Sequence, residues 1–101
     1  MSDGEILVKI DSRIAGLLPK FLAHCRRNVS EIREAIEAND LEAARRIGHS
    51  LTGAGSSYGF DEIGSIGGEI ERAARAGDLD ALRGLADRLD GYLARVRPVF
   101  E

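Results

Sequence analysis

The chain has 101 residues and a formal net charge of −3, with 44% hydrophobic and 31% charged residues. This length suits one domain with a single hydrophobic core, so we expect residues 1–101 to form one domain. The mildly acidic balance argues against a nucleic-acid partner and against an anionic membrane surface, because neither would be neutralised. The single cysteine excludes a disulfide framework and a cysteine metal cluster.

Targeting and membrane signals are absent from the sequence pattern. The stretch from Met1 to Glu5 has no basic residue, and the apolar run from Ile6 is broken by Lys9, so we expect no signal peptide. No apolar stretch approaches the roughly 20 residues that span a bilayer. The sequence therefore predicts a cytoplasmic protein.

Apolar residues at helical spacing predict an all-α fold. A short lead-in helix is expected in segment 1–17, where Ile10, Ile14 and Leu17 share one face, and a bundle is expected in segment 18–101. The four apolar stripes of the bundle run from Leu18 to Ile36, from Leu41 to Tyr58, from Phe60 to Ala74 and from Leu79 to Phe100.

Stop and start signals separate these four stripes. Asp40 and Asp78 are predicted N-caps, and Gly59 and Gly77 are predicted helix stops. The connections are therefore short, and short connections favour antiparallel neighbours. We predict an up-and-down antiparallel four-helix bundle.

His49 is the main candidate for chemistry, since it lies about 160° from Leu51, the centre of the buried stripe, and so points to solvent. Its neighbours one and two turns onward are Gly53 and Ser56, which have little bulk. A glycine inside a helix costs about 1 kcal/mol relative to alanine. Gly48 and Gly55 are expected to face the core and allow close packing, whereas Gly53 projects outward beside His49. Clearance for an approaching group explains that glycine.

Histidine suits phosphoryl transfer for a physical reason. An ordinary imidazole titrates at about pH 6.5, so a neutral ring nitrogen is available as a nucleophile at cellular pH. The loose transition state requires mainly that the nucleophile be positioned and that charge be tolerated.

The run GHSLTGAGSSYGF, at residues 48–60, resembles the signature of histidine phosphotransfer (HPt) domains. In that signature a phospho-accepting histidine is followed by Leu, usually Lys, and Gly, with another Gly closing the helix. His49, Leu51, Gly53 and Gly59 match it, whereas Thr52 stands where the family usually has lysine. The resemblance extends from about Ile10 to the C-terminus.

The resemblance implies a role for each site residue. His49 would be the phospho-acceptor, and Glu71 would orient its imidazole, since Ile70-Glu71 resembles the hydrophobic-acidic pair of the family. Arg45, Thr52 and Gly53 would surround the phosphoryl group. The residues expected to bind a partner are Arg46, Ser50, Ser56 and Ser57, with His24 and Arg27 at the rim.

The same resemblance implies a phosphocarrier without kinase activity of its own. Its partners would be response-regulator receiver domains, with a hybrid histidine kinase as a further candidate. It would need no cofactor or metal site, because the receiver holds Mg²⁺. We expect a monomer.

Two other functions compete with this interpretation. A dimerisation fragment of a histidine kinase also presents a histidine on a helical bundle, but it typically has Glu and Pro where Ser50 and Ala54 stand here. A structural adaptor without phosphochemistry would leave His49 incidental.

Individual residues also have alternatives. Arg45 and Arg46 either meet a phosphoryl group or an acidic partner, or make ordinary intrahelical pairs with Glu42. His24 lacks the surroundings of His49 and is more readily a structural or surface residue. Cys25 is expected to be buried as an apolar residue.

Overall fold

The computed structural model describes residues 4–101 and contains four α-helices in that range. The first three residues of the predicted segment 1–17 lie outside the described range. The elements, in chain order, are β1 (Ile6–Ile10), a 3-10 helix (Ser12–Leu17), α1 (Leu18–Glu37), α2 (Leu41–Tyr58), α3 (Asp61–Ala76), α4 (Leu79–Arg95) and β2 (Val96–Phe100).

The predicted N-caps and helix stops at Asp40, Gly59, Gly77 and Asp78 are confirmed. Asp40 caps α2 by accepting a hydrogen bond from the backbone N–H of Ala43 at 3.0 Å, and Asp78 caps α4 by the same contact with Ala81 at 3.0 Å. Gly59 ends α2 in the left-handed region, with φ of 84°. A glycine adopts this conformation without the steric cost that a Cβ would bring.

The four helices pack in a ring, because each contacts the helix that follows it and α1 contacts α4. The connections comprise residues 38–40, 59–60 and 77–78, and connections this short make consecutive helices run antiparallel. The predicted all-α four-helix bundle is confirmed, and its arrangement agrees with the up-and-down topology.

Helices α2 and α3 make the closest pair, because glycines line their contact. A Cβ placed on Gly48 would lie 2.7 Å from the backbone N of Glu71, and one placed on Gly67 would lie 2.7 Å from the backbone N of Thr52. A Cβ placed on Gly55 would clash with the backbone N of Gly64 on α3 and would lie 2.8 Å from the Cα of that residue. The prediction that Gly48 and Gly55 allow close packing is confirmed. This approach brings the α3 backbone against the helix that carries His49.

The predicted fourth helical stripe is too long. Helix α4 ends at Arg95, and Val96 is extended, with ψ of 137°. Pro98 lacks a backbone N–H and cannot continue a helix at that point without breaking a hydrogen bond. Val96 is still buried, but as the first residue of β2. Its agreement with the helical spacing of α4 therefore does not indicate a helix.

The lead-in segment is also partly corrected. The 3-10 helix begins only at Ser12, and Ile10 is instead the last residue of β1, where it is buried. Strand β1 pairs in parallel with β2, with Ile6 opposite Val96 and Ile10 opposite Phe100. The N-terminal and C-terminal segments of the described chain are therefore hydrogen-bonded to each other.

Aliphatic side chains fill the core, as expected from a chain without tryptophan. Cys25 is fully buried, which confirms its predicted apolar role. Phe21 stacks on Tyr58 with a ring-centroid distance of 4.3 Å, and this contact fixes the end of α2 against α1.

Candidate functional site

The imidazole of His49 projects from the middle of α2 into solvent. Its side chain is 74% exposed, whereas Leu51, two residues on, is 1% exposed. This opposition follows from the helical repeat, which places residues two apart on nearly opposite faces. The predicted exposure of His49 is confirmed, and its ring is open to an incoming group.

Small side chains keep the space beside His49 clear. A Cβ placed on Gly53 would meet no atom within 4 Å, so nothing in the packing requires glycine there. Ser50, Ser56 and Ser57 are all exposed on the same helix. The outward projection predicted for Gly53 is therefore confirmed. Its surroundings offer room for a second molecule.

Glu71 of α3 lies beside the inner nitrogen of the ring. Its carboxylate oxygens are both 3.4 Å from Nδ1 of His49. The Glu71 side chain is only 15% exposed, and Arg75, one turn onward, donates to its Oε2 at 3.0 Å. A carboxylate at this place accepts from an Nδ1–H, so Nε2 retains its lone pair on the solvent side. The structure brings together the two residues that the sequence paired.

The guanidinium of Arg45 is turned toward the start of its own helix. It donates to Glu42 at 2.6 Å and 3.0 Å, and it lies 3.9 Å from the carboxylate of Glu71. The hydrogen bond from Arg45 holds the pKa of Glu42 below its ordinary value. The intrahelical pair, one of the two alternatives for Arg45, is thus present.

Arg46 behaves differently from Arg45. It is exposed and makes no hydrogen bond or ion pair within residues 4–101. It borders a groove toward the C-terminal end of α1, together with Glu34 and Asp40. Its charge is therefore displaced toward α1, on the opposite side of α2 from Glu71.

Thr52 has its hydroxyl group engaged. The hydroxyl donates to the carbonyl oxygen of Gly48 at 3.0 Å, a back-bond within the helix. Thr52 therefore offers no free donor beside His49.

Arg72 is the residue of this region that sequence reasoning missed. A Cβ placed on Gly68 would lie 3.5 Å from Nη1 of Arg72 and 3.9 Å from Oγ1 of Thr52. The guanidinium of Arg72 therefore lies over Gly68, next to the turn of α2 that follows His49. In the sequence, the only signal for the position of Arg72 is that it follows Glu71. That signal indicates a place near His49 only when the packing of α3 against α2 is known.

His24 and Arg27 lie together on α1. Nη2 of Arg27 is 3.2 Å from Nδ1 of His24. They border an open groove of about 540 Å³ between α1 and α2. The remaining lining residues are Leu17, Lys20, Phe21, Ala23, Ala54 and Tyr58. His24 and Arg27 thus lie beside a partly apolar groove, and their role at the rim of a partner interface stays a prediction.

Residues 4–101 hold no group of His, Cys, Asp and Glu side chains arranged to bind a metal ion. Within that range no helix combines the length and the apolar character needed to cross a membrane.

Comparison with known proteins places these features in a family. Neither the curated proteins nor the solved structures gave a significant match. The family model of the Hpt domain, in contrast, matches residues 16–98, which include all four helices, His49 and Glu71. The chain therefore belongs to the Hpt domain family, whose members carry out histidine phosphotransfer in phosphorelays.

Proposed function

We propose that His49 accepts a phosphoryl group from the aspartyl phosphate of one receiver domain and passes it to the aspartate of another. The observation that carries this proposal is the exposed imidazole of His49 with Glu71 at its Nδ1. Hpt domains interact with response-regulator receiver domains and act as phosphocarriers, and His49 is the residue of this chain that fits that role. His24, the other histidine, has only Arg27 as a ring partner.

The chemistry needs one nucleophilic nitrogen and one balancing charge. Nε2 of His49 attacks phosphorus in line with the aspartyl oxygen, so the N–P bond forms while the P–O bond breaks. The electron pair of that P–O bond leaves on the donor carboxylate. The ring keeps its Nδ1 proton and becomes cationic, and the carboxylate of Glu71 faces this charge. Attack by the second receiver's aspartate returns the lone pair to Nε2.

Loose phosphoryl-transfer transition states depend on alignment and on charge stabilisation. We propose that Mg²⁺ in this reaction is held by the receiver domain and that this chain contributes no cofactor. Glu71 and its partner Arg75 hold the imidazole in one orientation, which lowers the entropic cost of aligning His49 with the incoming phosphoryl group. Gly53 leaves its path open.

The receiver is proposed to dock on a face centred on His49, here called the docking face. It comprises Arg46, Ser50, Gly53, Ser56 and Ser57 of α2, with His24 and Arg27 of α1 at its rim. The groove beside His24 supplies apolar surface, and exposed Leu17 lies at its edge. A relay must release each partner, so we expect an interface of the small, transient class, below about 1,200 Å² in total.

One chain is proposed to be the unit of transfer, since His49 and Glu71 come from the same bundle. A hybrid histidine kinase is a further candidate source of the donor receiver. The chain is proposed to have no kinase activity of its own and to bind neither nucleic acid nor membrane. We propose the cytoplasm as its place of action, where a lone thiol such as Cys25 stays reduced.

Labelled transfer from a phosphorylated receiver domain tests this function. The wild-type protein should become labelled, His49→Gln should not, and His24→Gln should serve as the matched control that stays active. Labelling that survives in His49→Gln would refute the proposal. The same experiment separates a relay from an adaptor or a kinase fragment, because neither of those takes the label from a receiver domain.

A further inference from the structure

A phosphoryl group on His49 would bring close to two negative charges to an exposed helix face. Phosphoryl oxygens are bound most strongly by charge-assisted hydrogen bonds, and the planar guanidinium of arginine matches them with two parallel N–H donors. A cation of this chain that reaches the phosphoryl oxygens would stabilise the phosphorylated form. Four arginines stand within about two helical turns of His49 or Glu71 on α2 and α3.

We propose that Arg72 binds the phosphoryl oxygens on His49 and stabilises the phosphorylated form of the protein. This inference rests on the proposed function, because it requires that His49 be the phosphorylated residue.

The placement of Arg72 comes from the close packing of α2 and α3. Glu71, the preceding residue, contacts the ring of His49. The Arg72 side chain runs back along α3 over Gly68, as long side chains in helices do, and its Nη1 approaches the turn that contains Thr52. A Cβ at position 68 would be in ordinary van der Waals contact with this guanidinium, so the Arg72 side chain lies directly against Gly68. The Arg72 guanidinium and the Thr52 hydroxyl thus lie on the same side of Gly68, and Thr52 is one helical turn from His49.

The Arg72 guanidinium is also uncommitted. It is exposed and makes no side-chain hydrogen bond or ion pair within residues 4–101. No existing contact has to break before its guanidinium turns toward a phosphoryl group.

The other three arginines are less suited to the role. Arg45 is held by two hydrogen bonds to Glu42, and Arg75 is held by Glu71. Arg46 is free, but it borders the groove on the α1 side of α2. Among these four, only Arg72 combines a free guanidinium with a position on the Glu71 side of the ring.

A ³¹P NMR titration of the phosphorylated protein tests this assignment without any partner. Phosphoramidate can donate the phosphoryl group, with ammonia as the leaving group, so no receiver domain is needed. A bound cation favours the dianionic phosphoryl group and therefore lowers the pH at which its signal titrates. Simple support of the helix by Arg72 would not move this midpoint.

We expect Arg72→Gln to raise the titration midpoint by about 0.3–1 pH unit, which is a two- to tenfold change for a partly exposed charged hydrogen bond. Arg72→Lys should keep most of the wild-type midpoint. The double variant Arg72→Gln with Thr52→Lys should restore it, because a lysine at position 52 starts from the turn that Arg72 approaches. Arg83→Gln on α4, where Arg83 pairs with Asp80, is the matched control and should leave the midpoint unchanged. Arg45→Gln tests a second arginine near Glu71 and should shift the midpoint less than Arg72→Gln.

The failures of this inference and of the proposed function are distinguishable. Normal phosphorylation of His49 with an unchanged midpoint in Arg72→Gln would overturn the role of Arg72 alone. If the titration midpoint shifts in Arg45→Gln and not in Arg72→Gln, the binding cation is Arg45, and the role proposed for Arg72 is overturned. A wild-type protein that takes no phosphoryl group on His49 from a phosphorylated receiver domain would contradict the proposed function itself.

Discussion

Substitution of Gly53 separates the requirements of folding from those of transfer. A glycine inside a helix is less favourable than alanine by roughly 0.5–1 kcal/mol. A Cβ at this position would meet nothing within 4 Å, so the substitution introduces no clash that would offset the gain. We therefore expect Gly53→Ala and Gly53→Gln to be more stable than wild type by roughly that amount. For a domain of this size the gain corresponds to a rise in melting temperature of about 2–8 °C.

The transfer reaction should respond in the opposite direction. The glutamine side chain at position 53 stands one helical turn from His49 and enters the space that a receiver's aspartyl phosphate would use. Misalignment of about 1 Å can cost on the order of a hundredfold in rate. We expect Gly53→Gln to transfer far more slowly than wild type, and Gly53→Ala to lie between the two.

Thermal unfolding and single-turnover phosphotransfer on the same samples check this pair of effects. Gly48→Ala is the contrasting variant, because its Cβ would lie 2.7 Å from the backbone N of Glu71. Overpacking of this kind typically costs about 1–3 kcal/mol. A Gly53→Gln protein that is destabilised would show that this face is packed. One that is stable and transfers at the wild-type rate would show that access does not explain the glycine.

Three further predictions concern other parts of the chain. Glu71→Ala should slow transfer by about tenfold or more while leaving the fold intact, because His49 loses the partner of its Nδ1; an unchanged transfer rate would argue against an orienting role. Amide chemical-shift mapping with a receiver domain should show changes on the docking face, and changes confined to α4 would contradict that placement. Burial raises the pKa of the Cys25 thiol to about 11 from an ordinary value of 9.0, so the unfolded chain loses this proton first and the free energy of unfolding falls as pH rises above 9. Between pH 9 and 10 the fall from this group should approach about 1 kcal/mol, and chemical denaturation of Cys25→Ala should show a shallower decline over the same interval. An equal decline in both proteins would contradict the burial argument.

Local signals made the helices predictable. A cap such as Asp40 and a stop such as Gly59 act within one turn of the chain, so their effect can be inferred from adjacent residues. The orientation of His49 follows from helical geometry alone once Leu51 is recognised as buried.

The two strands were missed because their pairing is not local. Residues 6–10 and 96–100 are far apart in the chain and become neighbours only after the bundle has formed. Val96 and Phe100 continue the apolar spacing of α4, so the spacing alone predicts a helix that runs past Arg95 and through Pro98. A proline within a helical pattern is evidence for a helix end.

The site was predictable in so far as it lies on a single helix. His49, Gly53 and the intrahelical partner of Arg45 all follow from spacing within α2. The position of Arg72 depends instead on the approach of α3 to α2 through Gly48 and Gly67, which is a property of tertiary packing. Its side-chain direction could not be inferred before that contact was known.

Relay by this chain requires that one residue, His49, carry the phosphoryl group. The most direct measurement is to phosphorylate the protein from a receiver domain and to locate the modified residue by peptide mass spectrometry under alkaline conditions, which preserve phosphohistidine. We expect a phosphoryl group on His49 and on no other residue. A modification found at His24, or on a serine such as Ser50 with His49 unmodified, would contradict it.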